Sequence, residues 1–453
     1  MSHWLIERIQ GFGDRPCFAE DSLNASYADL AKAIQQFLEN PETQKIKAGE
    51  IVALEADYSL SAVAALLALF EKQAIVAPVT GLSENELQSR IEEANAKWHI
   101  QVESEEVAFK VQSTQMEQAP HALVQQLIEA NVAGLILFSS GSTGKPKAMI
   151  HNADRLLAPF AKKRARRLSI LIFLLFDHIG GLNTLFNGLA SGAKIVIPKD
   201  RDAHTVAHAI AAHSVTLLPA SPTFLNLLLL SEAHTKEDLS SLRFITYGTE
   251  PMPESLLKRL KEALPHTNFI QTFGTSETGI SQTVSRASNS TQIKIDDPDT
   301  EYKIVEGELW LRSKSQILGY LNHEMSRFTD DGWFKTGDTV TESGDGFLTI
   351  TGRREDLINV GGEKVTPSEV ESTLLELPEV ADCLVYGEVN AITGQNVAAQ
   401  IVPKSKDALP ALKRRIKNHC RQQLAGYKVP ARIRFVEAQL FNDRFKKTRN
   451  LDS

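Results

Sequence analysis

The feature that most constrains this chain is a rhythm: through its first half, short apolar runs alternate with stretches long enough for helices. Residues 51–54 (IVAL) read as a strand, 59–70 (SLSAVAALLALF) as a buried helix and 74–78 (AIVAP) as the next strand. Residues 135–138, 170–176, 194–198 and 244–247 are further strand candidates, and 253–263 carries a helical pattern. Strands and helices in this order bury their apolar faces when helices cover largely parallel sheets.

Further on, the rhythm changes. Residues 306–312 (EGELWLR) and 346–351 (GFLTIT) read as strands of a β-rich subdomain, with a hairpin turn at Gly344, Asp345 and Gly346. The last stretch reads as helix 367–377, strands 380–386 and 397–403, helix 409–424 and strand 432–436. The expected fold is α/β. It has a large N-terminal domain over residues 1–352, with mostly parallel sheets plus the β-rich subdomain, and a small α+β C-terminal domain over residues 353–453.

A chain of 453 residues calls for about two to four domains. With 42% hydrophobic and 23% charged residues it has material for a sizeable core. A net charge of −7 lacks the basic bias of a nucleic-acid binder. The one dense basic run, Lys162, Lys163, Arg164, Arg166 and Arg167, reads as a solvated helix end. Cys17, Cys383 and Cys420 are far apart and odd in number, which argues against a disulfide framework or a zinc site and for a reducing cytoplasm. The N-terminus has no apolar signal core. The most apolar run, 168–176, is far short of the roughly twenty residues that cross a bilayer. A cytoplasmic protein without a membrane span is expected.

The sharpest local signal follows an apolar strand: Phe138 and then SSGSTGKPK, residues 139–147. Glycines let backbone N–H groups converge on an anion, and the hydroxyls of Ser140, Ser142 and Thr143 with the cation of Lys147 add donors and positive charge. The chemistry suits a polyphosphate. The loop is not a Walker A motif, because Pro146 follows Lys145 where Ser or Thr is required.

Four more segments follow in order, and together with the loop they resemble the adenylate-forming superfamily of acyl-CoA synthetases, luciferases and peptide-synthetase adenylation domains. The loop SSGSTGKPKAMIH resembles that family's phosphate loop, with Ala148 in place of the usual glycine. Tyr247, Gly248, Thr249, Glu250 and Pro251 resemble the segment flanking adenine. Phe273, Gly274, Thr275, Ser276, Glu277, Thr278 and Gly279 resemble the aromatic–Gly–x–Thr–Glu segment. The run GWFKTGD, ending at Asp338, resembles the W-x-x-T-G-D motif. TGRRED through GGEKV, residues 351–365, resembles the domain hinge and the loop after it. The resemblance spans most of the chain, from about residue 50 to the C-terminal tail.

The resemblance implies ATP as substrate and roles for these residues. Ser140, Gly141, Ser142, Thr143, Gly144 and Lys147 would cradle the phosphates. Glu277 would hold magnesium, a cation that takes oxygen ligands and substrate phosphates. Phe273, where the family usually has tyrosine, would face adenine, beside Gly274, Thr275, Ser276, Thr249, Glu250 and Pro251. Asp338 would accept the ribose hydroxyls with both carboxylate oxygens, and Arg353 would reach ribose or phosphate. Near the end, the family carries a catalytic lysine three residues before an arginine. Counting back from Arg449 selects Lys446, with Lys447 as the alternative because Phe445 replaces the usual glycine. A charged terminus read by itself is a solvated tail. His178, in FDHIGGL, resembles the histidine near the acyl pocket of CoA ligases, while Asp177 resembles the aspartate of amino-acid-activating relatives. Read from residues alone, His178 is equally a core or interface histidine. Gly248 would complete the acyl pocket. Glu355 takes the hinge position, and the loop of Gly361, Gly362 and Lys364 would enter the site when a mobile C-terminal domain turns toward the acceptor.

The implied reaction activates a small carboxylic acid as an acyl-adenylate and transfers it to a thiol. CoA is the first expectation. A phosphopantetheine on a separate carrier protein, or an amine, is the alternative, and a non-catalytic nucleotide sensor a remote one.

Overall fold

The computed structural model describes residues 3–20, 24–102, 109–114, 116, 120–139, 145–437, 440–441 and 447. The chain forms two compact units. The first comprises Met1–Pro219, Gly274–Ser281 and Arg312–Phe334, and the second Ala220–Phe273, Gln282–Leu311 and Lys335–Ser453.

In the first unit, a sheet runs in the order Phe109–Ser113, Trp98–Val102, Ile51–Glu55, Ile75–Val79, Gly134–Ser139, Lys147–Asn152 and Gly319–Tyr320. Its centre is parallel, as the strand–helix–strand rhythm predicts, and both flanks are antiparallel. The helix Leu60–Glu71 makes the crossover between Ile51–Glu55 and Ile75–Val79. It is buried from Ala62 through Phe70, which is why its sequence is apolar all round. Ser59 starts it, its hydroxyl accepting from the Ala62 N–H at 3.1 Å.

The same unit holds a second set of strands, Asn24–Ser26, Pro16–Ala19, Lys194–Val196, Ser169–Leu171 and Leu217–Ala220, parallel apart from the first pair. The apolar run expected as one strand over 170–176 pairs only through Leu171. Ile172 still donates to the Val196 carbonyl at 2.9 Å, after which the chain leaves the sheet and turns into the helix Ile179–Ser191. Ile172, Phe173 and Phe176 stay buried outside the sheet, so the apolar run signals burial there rather than pairing.

In the second unit, Phe244–Tyr247 and Asn268–Gln271 pair in parallel around the helix Glu254–Ala263. A six-stranded sheet follows in the order Thr283–Ser285, Gln292–Ile295, Leu348–Arg353, Phe334–Glu342, Glu308–Ser313 and Thr300–Val305. The expected hairpin turn is present: Ser343 donates to the Phe347 carbonyl and Gly346 to that of Ser343, both at 2.9 Å. A five-stranded sheet of Glu363–Val365, Ile358–Val360, Gly394–Pro403, Val380–Asn390 and Arg432–Phe435 carries the helices Pro367–Leu375 and Leu409–Gln423. Val370, Leu374, Val385, Ile401 and Ile416 fill its core. Cys17, Cys383 and Cys420 are buried and unbridged. Among the described residues, no helix is long and apolar enough to cross a membrane.

Candidate functional site

The glycine- and hydroxyl-rich loop is the connection of a hairpin. Gly134–Ser139 and Lys147–Asn152 pair antiparallel along their whole length, and the last pair is Ser139 with Lys147. Ser140, Gly141, Ser142, Thr143 and Gly144 lie outside the described residues. The loop's exit is clamped: the Ala148 N–H donates to Asn322 Oδ1 at 2.9 Å, while Asn322 Nδ2 donates to the Pro146 carbonyl at 2.8 Å and to Glu93 Oε2 at 2.6 Å.

Glu277 sits on a second tight turn of the same unit, between the paired strands Phe273–Thr275 and Gly279–Ser281. Thr275 Oγ1 accepts from the Thr278 N–H at 3.1 Å, and the Ile317 N–H donates to the Glu277 carbonyl at 2.8 Å. Gly274 has to be glycine, since a Cβ there would sit 2.4 Å from the Gly279 carbonyl oxygen. The Glu277 side chain is held by Tyr320, whose hydroxyl donates to Oε1 at 3.1 Å. Burial and the facing carboxylate push the Tyr320 phenol well up, so it stays a donor at neutral pH. Lys147 Nζ stands 6.0 Å from the centre of the Tyr320 ring. A cation, a phenol and a carboxylate thus meet at the exit of the glycine- and hydroxyl-rich loop.

His151 lies fully buried on the same strand as Lys147, against the backbone of Ser276 and Ser315. Burial lowers its pKa to about 4, and the backbone groups oppose this only in part. The neutral imidazole is therefore a fixed part of the floor beneath the Glu277 turn. His178 heads the helix Ile179–Ser191 with Nδ1 accepting from the Gly180 N–H at 3.0 Å, and Asp177 beside it is buried. That helix packs against Gly279–Ser281, the second arm of the Glu277 turn.

The second unit holds the other expected residues. Asp338 and Arg353 face each other across an antiparallel ladder, with Arg353 Nε 3.3 Å from Asp338 Oδ1. The Asp338 N–H donates to Thr336 Oγ1 at 3.0 Å, and Thr336 in turn donates to the Leu309 carbonyl at 2.6 Å. Burial disfavours the Arg353 charge, but Asp338, Glu355 and Asp356 outweigh it and hold its pKa above the usual value. Glu355 is 3.6 Å from Arg353, so the expected hinge residue and the expected ribose carboxylate share one guanidinium.

Thr249 has a φ of +71°, strained for a β-branched residue, in the segment between Gly248 and Pro251. Both oxygens of Glu250 are engaged: Oε2 accepts from the Thr223 hydroxyl at 2.6 Å and Oε1 from the Lys447 N–H at 2.8 Å. Phe273 is buried in the apolar cluster of Ile293, Leu309, Leu311 and Leu348. Gly361 and Gly362 form a two-residue turn with φ of +61° and +93°, and Lys364 is exposed on the returning strand. Lys446 lies outside the described residues. Lys447 is largely buried, with Nζ 2.9 Å from Asp382 Oδ1.

Tyr320, Asn322, His151 and Glu308, whose Oε1 accepts from the Gly337 N–H at 2.9 Å, escaped the reading of the sequence. Their partners are far along the chain; His151 ends the segment SSGSTGKPKAMIH but was given no role there, and no local pattern marks the other three. Among the described residues no three His, Cys, Asp or Glu side chains form a metal cluster. One carboxylate beside a polyphosphate loop is nonetheless a donor set that fits magnesium, which commonly takes one or two carboxylates plus substrate phosphates.

A model of the AMP-binding enzyme family matches residues 5–321, and one of the AMP-binding enzyme C-terminal domain matches residues 369–450. The chain is 29% identical to a 2-succinylbenzoate–CoA ligase of Bacillus licheniformis, over 96% of either protein. It is 30% identical to an indoleacetate–CoA ligase of Aromatoleum aromaticum, over 67% of this chain and 63% of that one. The o-succinylbenzoate CoA synthetase of Bacillus subtilis, solved with its acyl-adenylate intermediate, superposes with a TM-score of 0.80 at 25% identity, covering 100% of this chain and 98% of the other. The same enzyme solved with ATP and magnesium gives 0.79 at 25% identity, covering 100% and 99%.

Two outcomes follow from this geometry. Tyr320→Phe removes the donor that orients Glu277. Loss of such an outer partner typically costs about 10- to 100-fold in metal affinity or activity, so the magnesium needed for half-maximal pyrophosphate exchange should rise by that order with the melting temperature little changed. His151 ties stability to pH. The unfolded imidazole takes its proton near pH 6.5 and the folded one only near pH 4, so the unfolded state binds more protons between them. Stability should therefore fall as pH drops through that window, by about 3 kcal/mol in all. Denaturant unfolding at several pH values should show this slope in the wild type and not in His151→Asn.

Proposed function

The chain belongs to the AMP-binding enzyme family, and from that premise we propose that it activates an aryl-bearing carboxylic acid with ATP and passes the acyl group to CoA. The observation that carries the reading is the meeting of Lys147, Tyr320 and Glu277 beside the phosphate loop. The aryl preference is supported by the 2-succinylbenzoate and indoleacetate ligases that the chain resembles. Its buried, unbridged cysteines suit a cytoplasmic setting.

A carboxylate is a poor acyl donor because its leaving group would be oxide. Its attack on the α-phosphate of ATP expels pyrophosphate and leaves the acyl group on AMP, which a thiol then displaces. Negative charge builds at the α-phosphate and on pyrophosphate during the first step. Lys147 and the loop N–H groups would receive the phosphates, Glu277 would hold magnesium, whose charge would offset that of the phosphates, and Lys446 would offset the charge that develops as pyrophosphate departs. Asp338 takes the ribose hydroxyls, oriented by Arg353. Thr249, Glu250 and Pro251 flank the adenine with Phe273. Gly248, Asp177 and His178 line the acyl pocket.

The small domain begins after residue 352, and Glu355 is its hinge. Turning on it withdraws Lys446 and brings in the turn of Gly361, Gly362 and Lys364 for transfer to the thiol. The lone match of residues 369–450 to a C-terminal domain model supports a separate small domain.

Acid-dependent exchange of labelled pyrophosphate into ATP tests activation. Across a panel, aryl-bearing acids including 2-succinylbenzoate should exceed aliphatic acids of equal size, and CoA should exceed a holo carrier protein or amines as acceptor. Turnover with amines alone would overturn the thiol reading. Lys446→Ala should lose on the order of 100- to 1,000-fold in adenylate formation, the usual cost of one preorganised charge stabiliser. It should still convert supplied acyl-adenylate to thioester. Glu355→Pro, which stiffens the hinge backbone, should show the reverse, forming adenylate and then stalling.

A further inference from the structure

The basic tail that looks solvated in the sequence is tied down at one residue. Lys447 is held in three ways, all within the second unit. Its N–H donates to Glu250 Oε1 at 2.8 Å, its Nζ lies 2.9 Å from Asp382 Oδ1, and the same Nζ donates to the Cys383 carbonyl at 2.6 Å. The Lys447 and Asp382 side chains are 13% and 12% exposed, so this is a largely buried pair and not a surface one. Burial disfavours the Lys447 charge, but Asp382 and Glu371 override it and hold the ammonium charged.

The partners are themselves fixed. Glu250 receives the Thr223 hydroxyl, as described above, and the Ala381 carbonyl next to Asp382 accepts from Asn226 Nδ2 at 3.2 Å. Asn226 Oδ1 accepts from Arg259 Nη2 at 2.8 Å. The helices Pro222–Leu230 and Glu254–Ala263, the start of the strand Val380–Asn390 and the tail are thus joined through one polar network. Glu250 is the pivotal member. It follows the strained Thr249 in the segment assigned to adenine, so the Lys447 N–H is stitched to the nucleotide segment itself.

We propose that Lys447 is a positioning residue for the adenylation half-reaction: clamped to Asp382 and Glu250, it sets the register of the tail against the nucleotide segment. This rests on the reading of Lys446 as the adenylation lysine, since the two are joined by one peptide link and consecutive Cα atoms are about 3.8 Å apart. Asp382 and Cys383 belong to the same small domain as Lys447, so turning on Glu355 would carry them along, and the Glu250 contact is the part of the clamp that would be released before the thiol half-reaction. A misplacement of about 1 Å can cost on the order of 100-fold in rate.

The test separates half-reactions. Lys447→Met should slow adenylate formation, read by pyrophosphate exchange, by about 10- to 100-fold, while thioester formation from supplied acyl-adenylate stays within about twofold. A residue that merely stabilised the fold would slow both steps together, and that outcome would overturn the proposal. Lys447→Met leaves Asp382 buried and unpaired, which is destabilising, whereas removing both partners of a buried pair is often nearly neutral. The double variant Lys447→Met with Asp382→Asn therefore provides the folded control. It should keep the adenylation defect, and recovery to wild-type exchange would defeat the proposal. Lys446→Ala, run alongside, tells the two readings apart. If it leaves exchange intact, the assignment of the catalytic lysine fails. If it abolishes exchange while the Lys447 variants do not affect it, only the positioning role fails.

Discussion

The register of one strand, Lys147–Asn152, decides where the chemistry of the first unit can be. On one side it pairs with Gly134–Ser139, which fixes both ends of the phosphate loop. On the other it pairs with Gly319–Tyr320, setting Gly319 opposite Ile150 and Tyr320 opposite Met149. Tyr320 in turn holds Glu277. The loop, the phenol and the carboxylate are therefore placed by two ladders that share a strand. Side chains alternate along a strand with a period of two, so a slip of one residue in either ladder would turn Tyr320 away from Glu277. The apolar burial of Ala148, Met149 and Ile150 makes such a slip costly. Core packing and site geometry are one constraint here.

That coupling explains what could be read in advance. The central strands and the buried helix Leu60–Glu71 were legible because apolar periodicity reports burial directly, and burial decides a parallel sheet. The hairpin turn at Gly346 was legible from its glycines. The turn at Gly361 and Gly362 carried an equally strong signal, two glycines between paired residues, but the charged surroundings drew attention to a loop instead of a hairpin. The strand Pro16–Ala19 is only four residues long and opens on proline, too little for a periodic pattern. The run after Ser169 was misjudged in length for the opposite reason. Burial continues past the point where pairing stops, and hydrophobicity alone cannot tell the two apart.

The expected site residues divide along the same line. Glycines, hydroxyls and paired charges in short motifs announced the loop, Glu277, Asp338 and Arg353. The residues that hold them did not announce themselves. Tyr320 lies 43 positions from Glu277, and Asn322 lies 174 from Ala148. Lys447 is the clearest case. Local charge argued for a solvated tail, and the arrival of Asp382 and Glu371 from elsewhere in the chain is what offsets the burial of its ammonium.

The chemistry of that buried contact suits a residue that has to be held in one geometry. An apolar contact of the same size would stabilise in proportion to its area without specifying one partner. A buried ion pair behaves differently. Its attraction is largely offset by the desolvation of its partners, so its net contribution is small when it is closed. The closed geometry is still specific, because a lone ammonium or carboxylate left in that position is strongly unfavourable. A contact of this kind can therefore define one arrangement sharply without stabilising it heavily. It holds the Lys447 side chain on Asp382 while the Lys447 N–H meets Glu250.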